Sequence, residues 1–223
     1  MGVRARRANL VGVRRTTSGE PLGAISGEDQ SAIPSYGAAV PESAVPVPPD
    51  RGTGRAVRRG LLIRPFTDTD WPQVWPIFRE VVTSADTFTY DAAMDEDQAR
   101  GTWIEAPPAI TVVAEDGDGR ILGTAKTGPN RPGPGAHIAT ASFMVAAEAR
   151  GRGVGAALVE DALDRARSAG YAGMQFNAVA ASNTGAVLLY ERLGFTIVGT
   201  VPGAFEHPQL GRVGLHVMYR ALP

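Results

Sequence analysis

The sequence has no cysteine, which excludes disulfides, thiolate metal centres and a cysteine nucleophile. It has no apolar run near the roughly 18–20 residues that a membrane-spanning helix needs. Net charge is also missing: 22 Lys and Arg stand against 23 Asp and Glu, so nothing global points to nucleic acid or to a membrane surface. Residues 1–7 are basic like a signal n-region, but Arg14 and Arg15 interrupt any apolar stretch behind them. Secretion is therefore not expected, and a cytoplasmic location is. No metal site is expected either.

Residues 1–60 differ from the rest. They hold nine Arg against five acidic residues, six Pro and a single aromatic, Tyr36. A segment so poor in large apolar side chains cannot bury enough surface to offset its ordering entropy, and we read it as a disordered tail. The ordered domain is expected over 61–223.

Within that domain a strand is predicted over 61–66. A helix follows with Trp71, Val74, Trp75, Phe78, Val81 and Val82 at helical spacing, capped by Asp68 or Asp70. Residues 83–91 read as a loop, and Asp95 opens a second helix that ends before Pro107 and Pro108. Residues 109–115 and 120–126, joined by Asp-Gly-Asp-Gly, give a hairpin signal. A strand is predicted over 137–145, a helix over 153–169 closed by Gly170, a strand over 174–179 and a helix over 183–192 closed by Gly194. Two strands, 195–201 and 212–219, finish the chain around a polar loop over 202–211. The order is that of a mixed α/β sheet with helices on its faces.

The chemistry-bearing stretch is Arg150-Gly-Arg-Gly153-Val-Gly155, between an apolar strand and an amphipathic helix. Glycines let a backbone approach an anion closely, and the free N–H groups of the first helical turn then point at it. A nucleotide P-loop needs Lys followed by Ser or Thr; Ala156 and Ala157 follow here. A dinucleotide fingerprint fits Gly151-x-Gly153-x-x-Ala156 only loosely. The next strand ends without an acidic residue, and the turn comes after a run of strands rather than after the first.

The third reading is Arg150-x-x-Gly153-x-Gly155. With Asn183, Tyr190 seven residues on, and then Gly194-Phe195, the chain from about residue 61 to 222 resembles the GCN5-related N-acetyltransferase superfamily. The resemblance implies a mostly antiparallel seven-stranded sheet flanked by about four helices and splayed between its fourth and fifth strands. It implies acetyl-CoA as cosubstrate, with the pyrophosphate on the backbone of Arg150, Gly151, Arg152, Gly153, Val154 and Gly155. The pantetheine arm would lie along Phe143, Met144 and Val145, and Asn183 would position it. It implies direct attack by a primary amine on the acetyl carbon, with Tyr190 protonating the departing thiolate. A homodimer is compatible with the family.

For the acceptor, a small-molecule amine such as an amino acid is the leading reading, because the layout is similar to the branch that acetylates phosphinothricin and methionine sulfone. Candidate acceptor residues are Asp86, Phe88 and Tyr90 in the first loop and Phe205, Glu206 and His207 in the last. Asp86, His137, Glu206 and His207 are the candidate bases. The first loop departs from that branch in lacking an Arg pair for a substrate carboxylate, which leaves Arg131 and Arg212 as substitutes. A protein acetyltransferase and a non-catalytic acetyl-CoA sensor stay open as alternatives.

Overall fold

Strand alternation sorts the side chains of one continuous sheet onto two faces, and that sorting fixes where the helices lie. The computed structural model describes residues 55–58 and 60–223; the expected tail lies outside the described residues apart from 55–58 and Gly60. In chain order the elements are β1 (Arg55–Arg58), β2 (Leu61–Pro65), α1 (Trp71–Thr83), α2 (Glu96–Trp103), β3 (Ile110–Asp116), β4 (Ile121–Pro129), β5 (Ile138–Val145), α3 (Val154–Ser168), β6 (Gly173–Ala180), α4 (Thr184–Arg192), β7 (Thr196–His207) and β8 (Gly211–Ala221). The spatial order is β1-β2-β3-β4-β5-β6-β8-β7. The seven expected strands are present, and β1 adds an edge strand antiparallel to β2.

Among the described residues β5 and β6 form the one parallel pair, and only Ile138 with Gly173 and Ala139 with Met174 are in register. Beyond that point the two strands part. The anticipated splay is therefore real, and it opens toward the C-terminal ends of both strands.

On β4, Trp103 of α2 donates from Nε1 to Thr124 Oγ1 at 3.0 Å, whereas Gly123 faces Val154 and Leu158 of α3. Helices α2 and α3 thus cover opposite faces. Phe78 of α1 packs edge-on to Trp103, which puts α1 with α2. Phe176 of β6 clusters with Val159 and Leu163 of α3 and lies 4.6 Å from the Tyr190 ring of α4, which puts α4 with α3. The apolar faces read from the sequence are the buried ones: Val74, Phe78, Val81 and Val82 on α1, and Val154, Ala157, Leu158, Ala162 and Ala166 on α3. Each large side chain of this kind contributes roughly 1.5–3 kcal/mol on burial.

The start of α1 differs from the simple cap expected. Thr67 and Asp70 form a reciprocal capping box, and the Asp70 carboxylate also accepts two bonds from Arg64, at 2.7 and 2.8 Å. Burial works against charge on Asp70, but the bonds from Arg64 and Thr67 outweigh it and hold its carboxyl below the usual range. Asp95 does cap α2 as expected, accepting from the Gln98 N–H at 2.8 Å.

The larger departure is at the end of the chain. Residues 202–207, read as loop, belong to β7, which runs to His207 and pairs with β8 down to Gly211. A register shift between Val201 and Phe205 absorbs Pro202, Gly203 and Ala204. β7 is an edge strand, where a proline removes no ladder bond and a bulge is tolerated.

Candidate active site

The parting of β5 from β6 leaves a cleft of about 760 Å³. Its walls come from β5, β6, the turn before α3 with the start of that helix, α4 and the loop after α1. Two faces of the sheet therefore meet in one opening.

Backbone alternation decides what β5 presents there. Ile138 O and Ala146 N bond toward β4, at Asn130 N and Leu122 O, while His137 O bonds toward Ala172 N at the β6 side. The β4–β5 register from Ala139 to Val145 has no shift, so even-numbered residues bond to β4 and odd-numbered ones face β6. Ala141, Phe143 and Val145 thus turn their N–H and C=O groups into the gap, where β6 offers no register partner. These are the groups an extended ligand would pair with, as an added strand does.

The turn before α3 is built from left-handed backbone. Gly151 has φ 74° and Gly153 φ 85°, values that cost an L side chain about 1–2 kcal/mol. Gly153 is also the N-cap of α3, with no side chain capping it. The first intrahelical bond is Ala157 N to Gly153 O. Among the described residues, the N–H groups of Gly151, Gly153, Val154, Gly155 and Ala156 have no protein acceptor. Arg150 and Arg152 differ from the expectation: their N–H groups already bond Ala147 O and Ala149 O at 3.2 and 3.3 Å. The cradle is thus the glycines and the first helical turn, and Arg152 does not line the cleft. The Arg150 side chain lies 3.7 Å from Glu80 of α1. A Cβ on Gly155 would meet only Val145 and Leu189, at 3.7 and 3.9 Å, so the protein itself has room there. An anion close to that backbone is what would make a small residue necessary. The turn fits a pyrophosphate.

Tyr190 and Asn183 both line the cleft. Tyr190 is packed by Phe176, Phe195 and Phe143 at ring separations of 4.6, 6.0 and 6.3 Å. Burial raises its phenol above the usual tyrosine value, so it stays protonated through neutral and moderately alkaline pH. Among the described residues its hydroxyl has no hydrogen-bond partner, which leaves it free to donate into the cleft. Asn183 caps α4, its Oδ1 accepting from the Ala186 N–H at 3.1 Å. Its amide Nδ2 is left for a ligand.

Of the six candidate acceptor residues, Asp86, Phe88 and Tyr90 line the cleft. Ala85, the one described non-glycine residue with positive φ, at 51°, ends α1 and turns the chain toward it. Ser84 Oγ lies 2.6 Å from Asp86 Oδ1 and holds that carboxylate. Phe88 stacks on Tyr90 at 5.4 Å and meets Trp103 edge-on at 6.1 Å. Phe205, Glu206 and His207 do not line the cleft, because they continue β7. Phe205 is opposite Val213 and buried. His207 Nδ1 accepts from Gln209 and Leu210 N–H groups and closes the β7–β8 turn. His137 Nδ1 meets Pro134 O at 3.0 Å outside the cleft. Of the four candidate bases, Asp86 alone stands in it. Arg131 folds back on Asn130, and neither it nor Arg212 lines the cleft.

Three polar residues of the cleft have no signal in the sequence. Thr140 and Ser142 share the α1/α2 face with Met144, and Asn177 projects from an irregular part of β6. The period of two in 173–180 marks the strand but carries no sign of the bulge that exposes Asn177.

Known proteins are consistent with this geometry. The chain is 33% identical over 97 residues to the N-acetyltransferase aca1 of Schizosaccharomyces pombe, of which it spans 46%. It is 30% identical over 144 residues to an L-methionine sulfoximine/L-methionine sulfone acetyltransferase of Pseudomonas paraeruginosa, covering 63% of this chain and 83% of that one. The structure of a GCN5-related N-acetyltransferase from Kribbella flavida superposes with TM-score 0.72 at 52% identity, over 74% of this chain and 99% of that one. The sequence profile of the acetyltransferase (GNAT) family matches residues 71–195, more than half of the chain and the whole of the splayed cleft from the α1 loop to Phe195, and the chain belongs to that family.

Proposed function

We propose that this protein transfers the acetyl group of acetyl-CoA to the primary amine of a small acceptor, an amino acid or an analogue of one. The observation that carries this is the splay itself: unpaired backbone of Phe143 and Val145 lies between a left-handed glycine cradle and a protonated Tyr190. Acetyl-CoA supplies an activated acyl group. The N–H groups of Gly151 and Gly153 to Ala156 hold its pyrophosphate, and Asn183 Nδ2 and the β5 edge hold its pantetheine arm.

The N–H of Phe143 or Val145 takes the thioester carbonyl oxygen, and one such donor is typically worth about 2.7–4 kcal/mol as negative charge develops there. The amine enters from the α1/α2 face, where Asp86 holds its ammonium form and can accept the proton it must lose. Attack forms the C–N bond and breaks the C–S bond, Tyr190 gives its proton to the sulfur, and the second proton that the nitrogen sheds on becoming an amide returns to the Tyr190 phenolate. The raised value of the phenol keeps that proton in place over the alkaline range in which the amine becomes a free base.

The test is thiol release from acetyl-CoA across a panel of free amino acids, simple amines and peptides, with wild type and Tyr190→Phe. We expect turnover with small amines and at least a tenfold lower kcat in the variant, with acetyl-CoA affinity retained. Turnover of peptides alone would replace the acceptor by a protein. Acetyl-CoA binding with no release on any amine would make the chain a sensor.

A further inference from the structure

We propose that Asn177 binds the acceptor, that Asn130 and Gln175 hold it in place, and that the group it takes is an oxygen adjacent to the acceptor amine. This rests on the acetyl-transfer reading above.

The register of β6 against β8 shifts between Phe176 and Val179, so Asn177 and Ala178 together oppose Val217. Such bulges re-aim a side chain. Here Asn177 is aimed into the cleft, on the face of β6 opposite Met174 and Phe176, that is, on the acceptor side. Its carboxamide is fixed at both ends. Nδ2 donates to Asn130 Oδ1 at 2.7 Å, and Oδ1 accepts from Gln175 Nε2 at 2.8 Å. Asn130 is itself anchored, its N–H donating to Ile138 O at 2.7 Å and its carbonyl accepting from Arg131 at 2.8 Å. The chain of three amides therefore ties the end of β4 to β6 on the acceptor face.

A primary amide has two N–H donors and two acceptor sites. One of each is used among the described residues, so Asn177, which lines the cleft, keeps one N–H for a ligand. Among the described residues the cations lining the cleft are Arg150, paired with Glu80, and Arg192, at the end of α4. Neither takes part in the amide chain; Arg131, which does not line the cleft, meets that chain from behind at Asn130 O and Oδ1, 2.8 and 3.4 Å away. A neutral N–H bonds a carboxylate about twice as strongly as a carbonyl oxygen, a smaller gap than a guanidinium gives, because no ion pair is lost with the amide. The site thus takes α-amino amides as well as α-amino acids.

The probes are L-methionine sulfone, its carboxamide, and the amine of the same chain length that carries no carboxyl group. Wild type is expected to acetylate the first two with kcat/KM within about tenfold of each other. Asn177→Ala should raise KM for both by about fivefold to tenfold, the size of one lost hydrogen bond. KM for acetyl-CoA, the Tm and turnover of the carboxyl-free amine should be unchanged. Asn130→Ala should move the same acceptor KM less, and adding it to Asn177→Ala should have no further effect, because it acts through Asn177. An Asn177→Ala enzyme with wild-type acceptor KM overturns the inference, as does a general loss of Tm and acetyl-CoA affinity. Turnover of the carboxyl-free amine alone also overturns it while leaving acetyl transfer standing. Absence of thiol release with every amine overturns both.

Discussion

The two halves of the cleft are made from different materials. On the α3/α4 face the donor half is backbone: the edge of β5, two left-handed glycines and the open first turn of α3. On the α1/α2 face the acceptor half is side chains: Asp86 behind a strained Ala85, the Phe88–Tyr90 stack and Asn177 on a bulge. Backbone groups are the same whatever residues carry them, so the donor half can stay constant while the acceptor half changes. In the proposed reaction selectivity would then reside in the side chains: the grip on the cosubstrate would come from backbone geometry, and the choice of amine from a few replaceable side chains.

The comparison breaks most sharply at Gly153. Gly153→Glu puts a carboxylate where a pyrophosphate should sit and forces a side chain onto backbone at φ 85°. Like charges so juxtaposed cost several kcal/mol, and we expect acetyl-CoA affinity to fall by about a hundredfold or more in a calorimetric titration. Gly153 contributes nothing to the acceptor side, so binding of an amine should be untouched.

A smaller effect is expected on the other face. Asp86→Asn keeps the size and the bond to Ser84 but removes the charge that meets the ammonium. Because Asp86 is only half-buried, solvent screens part of the loss. The acceptor KM should rise by about tenfold in steady-state assays, with acetyl-CoA KM constant. An equal rise in both constants would mean that the two halves are not separable.

The same contrast governs what could be read from the sequence. Gly151, Gly153 and Gly155 are legible because few residues tolerate a left-handed turn or leave space for an anion, and Asn183 and Tyr190 stand at a fixed distance from them. The helices and the splayed strands follow from apolar periods that the core then buries. The acceptor half had no such constraint. Pro202 and Gly203 suggest a loop, but an edge strand accommodates both, so Phe205, Glu206 and His207 left the site. The β6 bulge depends on pairing with β8, which begins at Gly211, 27 residues beyond the start of α4 at Thr184, and local pattern does not contain it. The Arg150 and Arg152 N–H groups were assigned to the cradle by motif, whereas the short turn after Ala146 had already engaged them.

The most direct test is amide hydrogen exchange of the protein with and without saturating acetyl-CoA. Slowed exchange is predicted at Gly151, at Gly153 to Ala156, and at Phe143 and Val145 on β5. Exchange at Arg150 and Arg152, whose N–H groups are already bonded, and in the 86–90 loop should change little. Unchanged exchange at the glycine turn under saturating acetyl-CoA, or protection confined to the 86–90 loop, would contradict the account.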